Sequence, residues 1–202
     1  MIDRREFLVC VSLALCVAAP SVRAATDSPG ATITSLQQGL IAAARDSNTP
    51  IEERYRTLEP LIVATHNLPY IAEFALRRQW STLAQTDRQR FIEAFQRLSV
   101  MTYAARFKAV GSDTFREVTP GAADASGRVQ VSTAVARASQ PDVSLEYLLQ
   151  QDEKGWRIIN IVADGVSDLA LKRAEYQRVF ASGGLEGLLA ELDAQTERLK
   201  KN

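Results

Sequence analysis

The stretch WRIINIVADGVSDLALKRAEYQ, from Trp156 to Gln177, changes its period half-way along. In its first seven residues both parities are apolar: Trp156, Ile158 and Val162 on one face, Ile159 and Ile161 on the other. That predicts a strand covered on both faces. Asp164-Gly165 is a turn signal. Ser167 then stands where an N-cap stands, and Asp168 in the first turn complements the dipole of a following helix. Two acids, a serine and a glycine at a strand end also invite a catalytic reading. Each has a complete structural explanation, so the stretch is read as a corner where a strand enters a helix.

Working outward, the preceding segments alternate with period two. Val129, Val131, Thr133 and Val135 share one side of a strand, and Val143, Leu145, Tyr147 and Leu149 share one side of the next. Asp152-Glu153-Lys154-Gly155 is a tight hairpin turn whose acids read as solvated, and Ala136 to Pro141 turns the chain before it. Thr114 to Val118 is a further expected strand, with Pro120 to Gly127 a polar turn region. Upstream of Gly111 the period is helical. Helices are expected over Ile33–Arg45, over Ile51–Ala64 with a kink or break at Pro60, and over Leu68–Arg77. A long helix opens at Thr86, where Thr86 and Gln89 have capping-box spacing. Its stripe of Phe91, Phe95, Leu98, Thr102 and Ala105 is broadened by Ile92, Met101 and Phe107, so more than one face is apolar. Two helices close the chain, Ser167–Ala181 and Leu185–Lys200, separated by Gly183-Gly184. Helices, then antiparallel strands, then helices make an α+β class.

At 202 residues the chain is sized for one domain. Residues 1–24 read as a cleaved signal peptide: Arg4-Arg5, an apolar run from Leu8 to Ala19, and small residues at Val22-Arg23-Ala24. The run is shorter than the roughly 20 residues that span a bilayer. Ordinary secretion is the preferred route, with DRREFLV leaving twin-arginine export as the alternative. Cys10 and Cys16 both fall in this segment, so residues 25–202 carry no thiol for a disulfide, a metal or a nucleophile. Cleavage removes three of 24 basic and two of 24 acidic residues, leaving 21 and 22. No basic stripe interleaved with aromatics points to nucleic acid.

The catalytic inventory is thin. His66 is the single histidine, no Gly-x-Ser-x-Gly elbow accompanies it, and it reads as structural. Gly183-Gly184 lacks the lysine and spacing of a phosphate loop. No metal and no cofactor is implied. Arg77-Arg78, Arg88 with Arg90, and Lys172-Arg173 are candidate partner-facing charges, with solvated helix faces the preferred reading. The apolar surplus of the sheet and the long helix is either packed core or a greasy cavity.

Extended to Leu192, the opening stretch resembles the C-terminal signature of the MlaC-type, or toluene-tolerance, family of periplasmic lipid carriers. Trp156, Asp164, Gly165, Val166, Ser167, Tyr176, Gly184, Leu185, Glu186, Gly187 and Leu188 stand in the family's places. Leu68-Pro69-Tyr70 and the stretch Arg88 to Phe107 are similar too, so the resemblance spans residues 25–202 as a single domain. Details resemble the hopanoid-associated branch: Thr65-His66-Asn67, Tyr103 to Phe107, and Ser167 to Ala170 followed by Lys172-Arg173.

The resemblance implies a curved antiparallel sheet of about four strands, similar to the nuclear-transport-factor type, wrapped by helices around an acyl-chain pocket. It implies a monomeric, noncatalytic periplasmic carrier of phospholipid or hopanoid-type lipid. Its implied partners are an outer-membrane lipoprotein complex and an inner-membrane ABC transporter carrying an MCE-domain protein. The expected lipid-binding residues are Phe74, Phe91, Phe95, Leu98, Val131, Val135, Leu145, Tyr147, Trp156 and Ile158. Two alternatives stay open: an interaction protein with a filled core, and a small enzyme on a similar cone-shaped fold that pairs Tyr147 with an acid such as Asp164.

Overall fold

The computed structural model of the chain describes residues 28–107, 114–137 and 140–201; the expected signal segment lies outside them. Local chemistry sets the first helix starts. Ser28 Oγ accepts from the Ala31 N–H at 3.2 Å and Pro29 opens helix α1 (Pro29–Ala43). Helix α2 (Ile51–Thr65) follows Pro50 with Glu52 and Glu53 in its first turn. Asn67 Oδ1 accepts from the Tyr70 N–H at 3.1 Å and caps α3 (Leu68–Leu76). A short α4 (Arg78–Thr82) leads into α5 (Gln85–Arg106).

Two helix expectations are corrected. Helix α2 is not broken at Pro60: it runs on through that residue, which is exposed on the solvent side, where a missing backbone bond costs less than in the core. The capping box at Thr86 does not form. Arg88 ties the end of α4 to the start of α5 by donating to the Trp80 carbonyl at 3.1 Å. The helix already begins at Gln85, and Gln89 donates forward to Glu93 at 2.9 Å.

The sheet is curved, unclosed and antiparallel, in the order β1-β3-β4-β5-β6, with β2 also lying along β3. Its strands are β1 (Thr114–Phe115), β2 (Thr119–Ala123), β3 (Val129–Ala136), β4 (Val143–Asp152), β5 (Gly155–Ala163) and β6 (Val166–Ser167). Six strands thus replace the four expected. Strand β2 falls partly in the segment read as a turn. It is exposed throughout and held by backbone pairing at an edge, which demands no apolar period. Strand β1 is correspondingly shorter than Thr114–Val118.

Strand β5 carries the correction that matters most. Leu148 pairs with Asn160 while Leu149 pairs with Ile158, so Ile159 is one extra residue, a β-bulge. Downstream of it the parity flips. Ile161 pairs with Tyr147 and Ala163 with Leu145, joining the inner face of β4, whereas Val162 pairs with Glu146 on the other. The two-sided apolar pattern of β5 is therefore mainly a single inner face interrupted by a bulge.

Helix α6 (Asp168–Lys200) starts at the expected cap, Ser167 Oγ accepting from the Ala170 N–H at 3.2 Å and donating to Asn160 Oδ1 at 2.9 Å. It breaks at Gly184 (φ 61°, ψ −159°), between the two closing helices the sequence predicts. The core lies between the sheet and the helices. There Tyr176 meets Phe91 and Phe95 nearly edge-on, with ring centroids 6.0 and 6.3 Å apart. Among the described residues no helix is long and apolar enough to cross a membrane.

Candidate functional site

A cavity of about 300 Å³ opens between the sheet and the helices. Its sheet wall is Leu145 and Tyr147 of β4 with Ile159, Ile161 and Ala163 of β5. The bulge lets Ile159 and Ile161 join one wall. Helix α5 supplies Phe95, Ser99, Thr102 and Arg106, spaced four, three and four residues apart along one stripe, with Tyr103 beside them. Leu68 and Ile71 of α3, Leu40 of α1, Leu169 of α6 and Phe107 at the end of α5 add to the apolar lining.

The mouth lies where β6 enters α6. Val166 and Leu171, 53% and 59% exposed, leave apolar surface open to solvent there. Arg106 is exposed at the rim, and Lys172 is gripped by Asp168, with Nζ–O distances of 2.6 and 2.7 Å.

Polar groups within the wall are neutral. The Thr65 hydroxyl donates to the Leu61 carbonyl at 2.8 Å, so its oxygen acts as an acceptor toward His66 Nδ1 at 3.0 Å. The Ile62 carbonyl lies 3.2 Å from the same nitrogen. Two acceptors place the proton on Nδ1, and Nε2 accepts from the Tyr103 hydroxyl at 2.9 Å. Burial pushes the His66 imidazole down to about 4, against the opposing pull of the Ile62 carbonyl and Asp168. Burial raises the Tyr103 and Tyr147 hydroxyls well above their ordinary value.

The His66 corner is pinned to the β4–β5 hairpin. The Asn67 N–H donates to the Ile158 carbonyl at 2.9 Å, and Asn67 Nδ2 donates to Asp152 Oδ2, also at 2.9 Å. Arg157, 8% exposed, pairs with that same carboxylate and donates to the His66 carbonyl at 3.5 Å. Partial burial opposes ionisation of Asp152, but the Arg157 guanidinium and the Lys154 N–H outweigh it and hold its carboxyl below the usual range. Asp152 is therefore a structural anchor rather than the solvated turn residue expected.

Asp164 and Gly165, at φ 48° and 80°, form the two-residue turn joining β5 to β6, the left-handed pair that suits a hairpin's twist. Asp164 Oδ1 accepts from the Ser144 N–H at 2.8 Å and from its hydroxyl at 3.3 Å. That carboxylate is outside the cavity lining, so Tyr147 and Asp164 are not brought together. The opening stretch is a corner, built as a hairpin before the helix.

Residues 34–194 match the family model described as MlaC protein. The chain belongs to the MlaC family. No curated protein matches it. Among solved structures it is similar to the phospholipid-binding protein from Ralstonia solanacearum, determined in complex with a phospholipid. The two are 21% identical with a TM-score of 0.71, over 84% of this chain and 97% of that one.

In this MlaC-family fold the ten residues singled out from sequence separate into three groups. Phe95, Leu145 and Tyr147 line the cavity. Phe91, Leu98, Val131 and Ile158 are buried in the core around it. Phe74 lies under the Arg77 guanidinium at 5.2 Å, Trp156 packs partly buried against the core, and Val135 pairs with Phe115 at the sheet edge. Sequence reasoning missed Tyr103, Ile159, Ile161, Leu169 and Lys172. The stripe read on α5 from sequence, Phe91, Phe95, Leu98, Thr102 and Ala105, shares only Phe95 and Thr102 with the cavity wall, because small and polar Ser99 and charged Arg106 do not announce a pocket.

Proposed function

We propose that this protein is a noncatalytic periplasmic lipid carrier that encloses acyl chains in the cavity and leaves the polar head at the mouth. The observation that carries this reading is the cavity itself. It has an apolar wall about 300 Å³ in volume with electrically neutral polar groups, an exposed apolar lip, and charges confined to the rim. That volume is at the lower end for small-molecule sites, and the largely apolar lining suits hydrocarbon chain. Each buried CH₂ contributes about 0.8 kcal/mol, so affinity needs no charged anchor inside. Membership of the MlaC family and the likeness to a protein solved with a phospholipid support the same reading.

The carrier shuttles phospholipid, or a hopanoid-type lipid, between an outer-membrane complex and an inner-membrane ABC transporter bearing an MCE-domain protein. The test is to express the chain with its own export segment, purify it without detergent, and combine native mass spectrometry with lipid extraction. A bound mass equal to one lipid, handed on to acceptor vesicles, is the expected result. A lipid-free mass that persists after incubation with vesicles refutes the carrier and favours an interaction protein.

A further inference from the structure

Tyr147 is 4% exposed, and its side chain lines the cavity. Its neighbours have committed their hydroxyl protons: Tyr103 donates to His66 Nε2 at 2.9 Å and Thr102 to the Leu98 carbonyl at 2.8 Å. The Tyr147 hydroxyl has no hydrogen-bond partner among the described residues, nor is it sealed among protein atoms. An uncommitted donor in a largely apolar wall is costly unless something brought from outside accepts from it.

The position of Tyr147 along β4 bears on what that acceptor is. Leu145 pairs with Ala163, next to the turn that leads to Val166 at the mouth. Tyr147 lies two residues further in, about 7 Å at the rise of a strand. At the rim Lys172 is matched by Asp168, while Arg106 has no anionic partner among the described residues. Arg106 and Tyr147 line the same cavity, so a glycerolipid whose phosphate meets Arg106 carries its acyl-ester carbonyls into the space that the Tyr147 side chain borders. A hydrocarbon or ether-linked chain offers no comparable carbonyl there.

Resting on the carrier reading above, we propose that the Tyr147 hydroxyl donates a hydrogen bond to an ester carbonyl of the bound lipid. The cavity thereby selects ester-linked acyl chains over otherwise identical ether-linked ones.

The experiment loads lipid-free protein from an equimolar mixture of a diester phosphatidylglycerol and its diether analogue with the same chains, and counts the two complexes by native mass spectrometry. The wild type is expected to favour the diester by about fivefold to tenfold, the worth of one hydrogen bond. Tyr147→Phe is expected to lose that preference, taking up the two lipids in equal amounts. A carbonyl-labelled diester gives a second readout, with the infrared carbonyl stretch at lower frequency in the wild type than in the variant. Equal loading of the two lipids by the wild type overturns the proposal even where Tyr147→Phe does not fold. So does a preference that survives in a folded Tyr147→Phe. Failure of the folded wild type to load either lipid instead overturns the carrier reading, and the ester preference falls with it.

Discussion

Acidification should destabilise this fold through one residue, His66, over a window that its surroundings define. The imidazole is 4% exposed, with Nδ1–H directed at the Ile62 carbonyl and Thr65 oxygen and Nε2 accepting from Tyr103. Burial lowers its pKa from 6.5 to about 4; Asp168 favours the charged form and Lys172 opposes it, both weakly beside the burial. The unfolded chain therefore takes up the proton first as pH falls through 6.5. Stability is unaffected above that value and is lost progressively down to about pH 4. The full shift corresponds to about 3 kcal/mol, of which about 2 kcal/mol is lost between pH 7.5 and pH 5. Urea unfolding of the lipid-free protein at pH 7.5, 6 and 5 measures it, with the midpoint moving by about 1 M. His66→Gln, which cannot charge, is expected to be less stable at pH 7.5 but flatter across the window. Asp152, held at a low pKa, contributes only below the window. Parallel losses in wild type and variant between pH 7.5 and 5 would refute a buried neutral imidazole.

Four further outcomes follow from the burial and backbone geometry. Leu145→Asp places a carboxylate in the half-buried cavity wall and should cut lipid occupancy at least tenfold by extraction, with the melting temperature little changed. Val131→Asp, at a fully buried core position, should instead cost several kcal/mol and prevent folding, which circular dichroism separates at once. Asp152→Ala leaves the buried Arg157 guanidinium without its carboxylate; discounted for the quarter of the Asp152 side chain that is exposed, the cost is about 2 kcal/mol in chemical denaturation. Gly184→Ala meets no atom within 4 Å, so its cost, about 1–3 kcal/mol by thermal melting, comes wholly from the backbone conformation.

The α+β class, the helix positions, the central strands and the Ser167 cap were legible because each follows from local periodicity or capping chemistry. The cavity was legible only in part, for three physical reasons. A bulge costs one residue and leaves no mark in composition, so the parity of β5 put Val162 on the face of Ile158 and Ile161 on the opposite one. Helix α5 is apolar around much of its girth, and its largest residues, such as Phe91, fill core while Ser99 and Thr102 leave room beside Phe95. Asp152 looked like a turn residue because its buried partner, Arg157, is charged, and charge in sequence reads as surface. The edge strand β2 was hidden for the opposite reason: its pairing asks only for backbone groups.

The extra residue at Ile159 also bears on how this chain tolerates change over time. From the bulge to the Ser167 cap, inner-facing Ile161 and Ala163, the Asp164-Gly165 turn and the helix start are phased by count. An apolar replacement at any one inner position alters a single contact. Removing one residue would turn Ile161 away from the cavity and shift the left-handed turn onto residues unsuited to it, altering several contacts together. Substitutions should therefore accumulate in this segment, while insertions and deletions should be eliminated from it: here selection acts on length before it acts on identity.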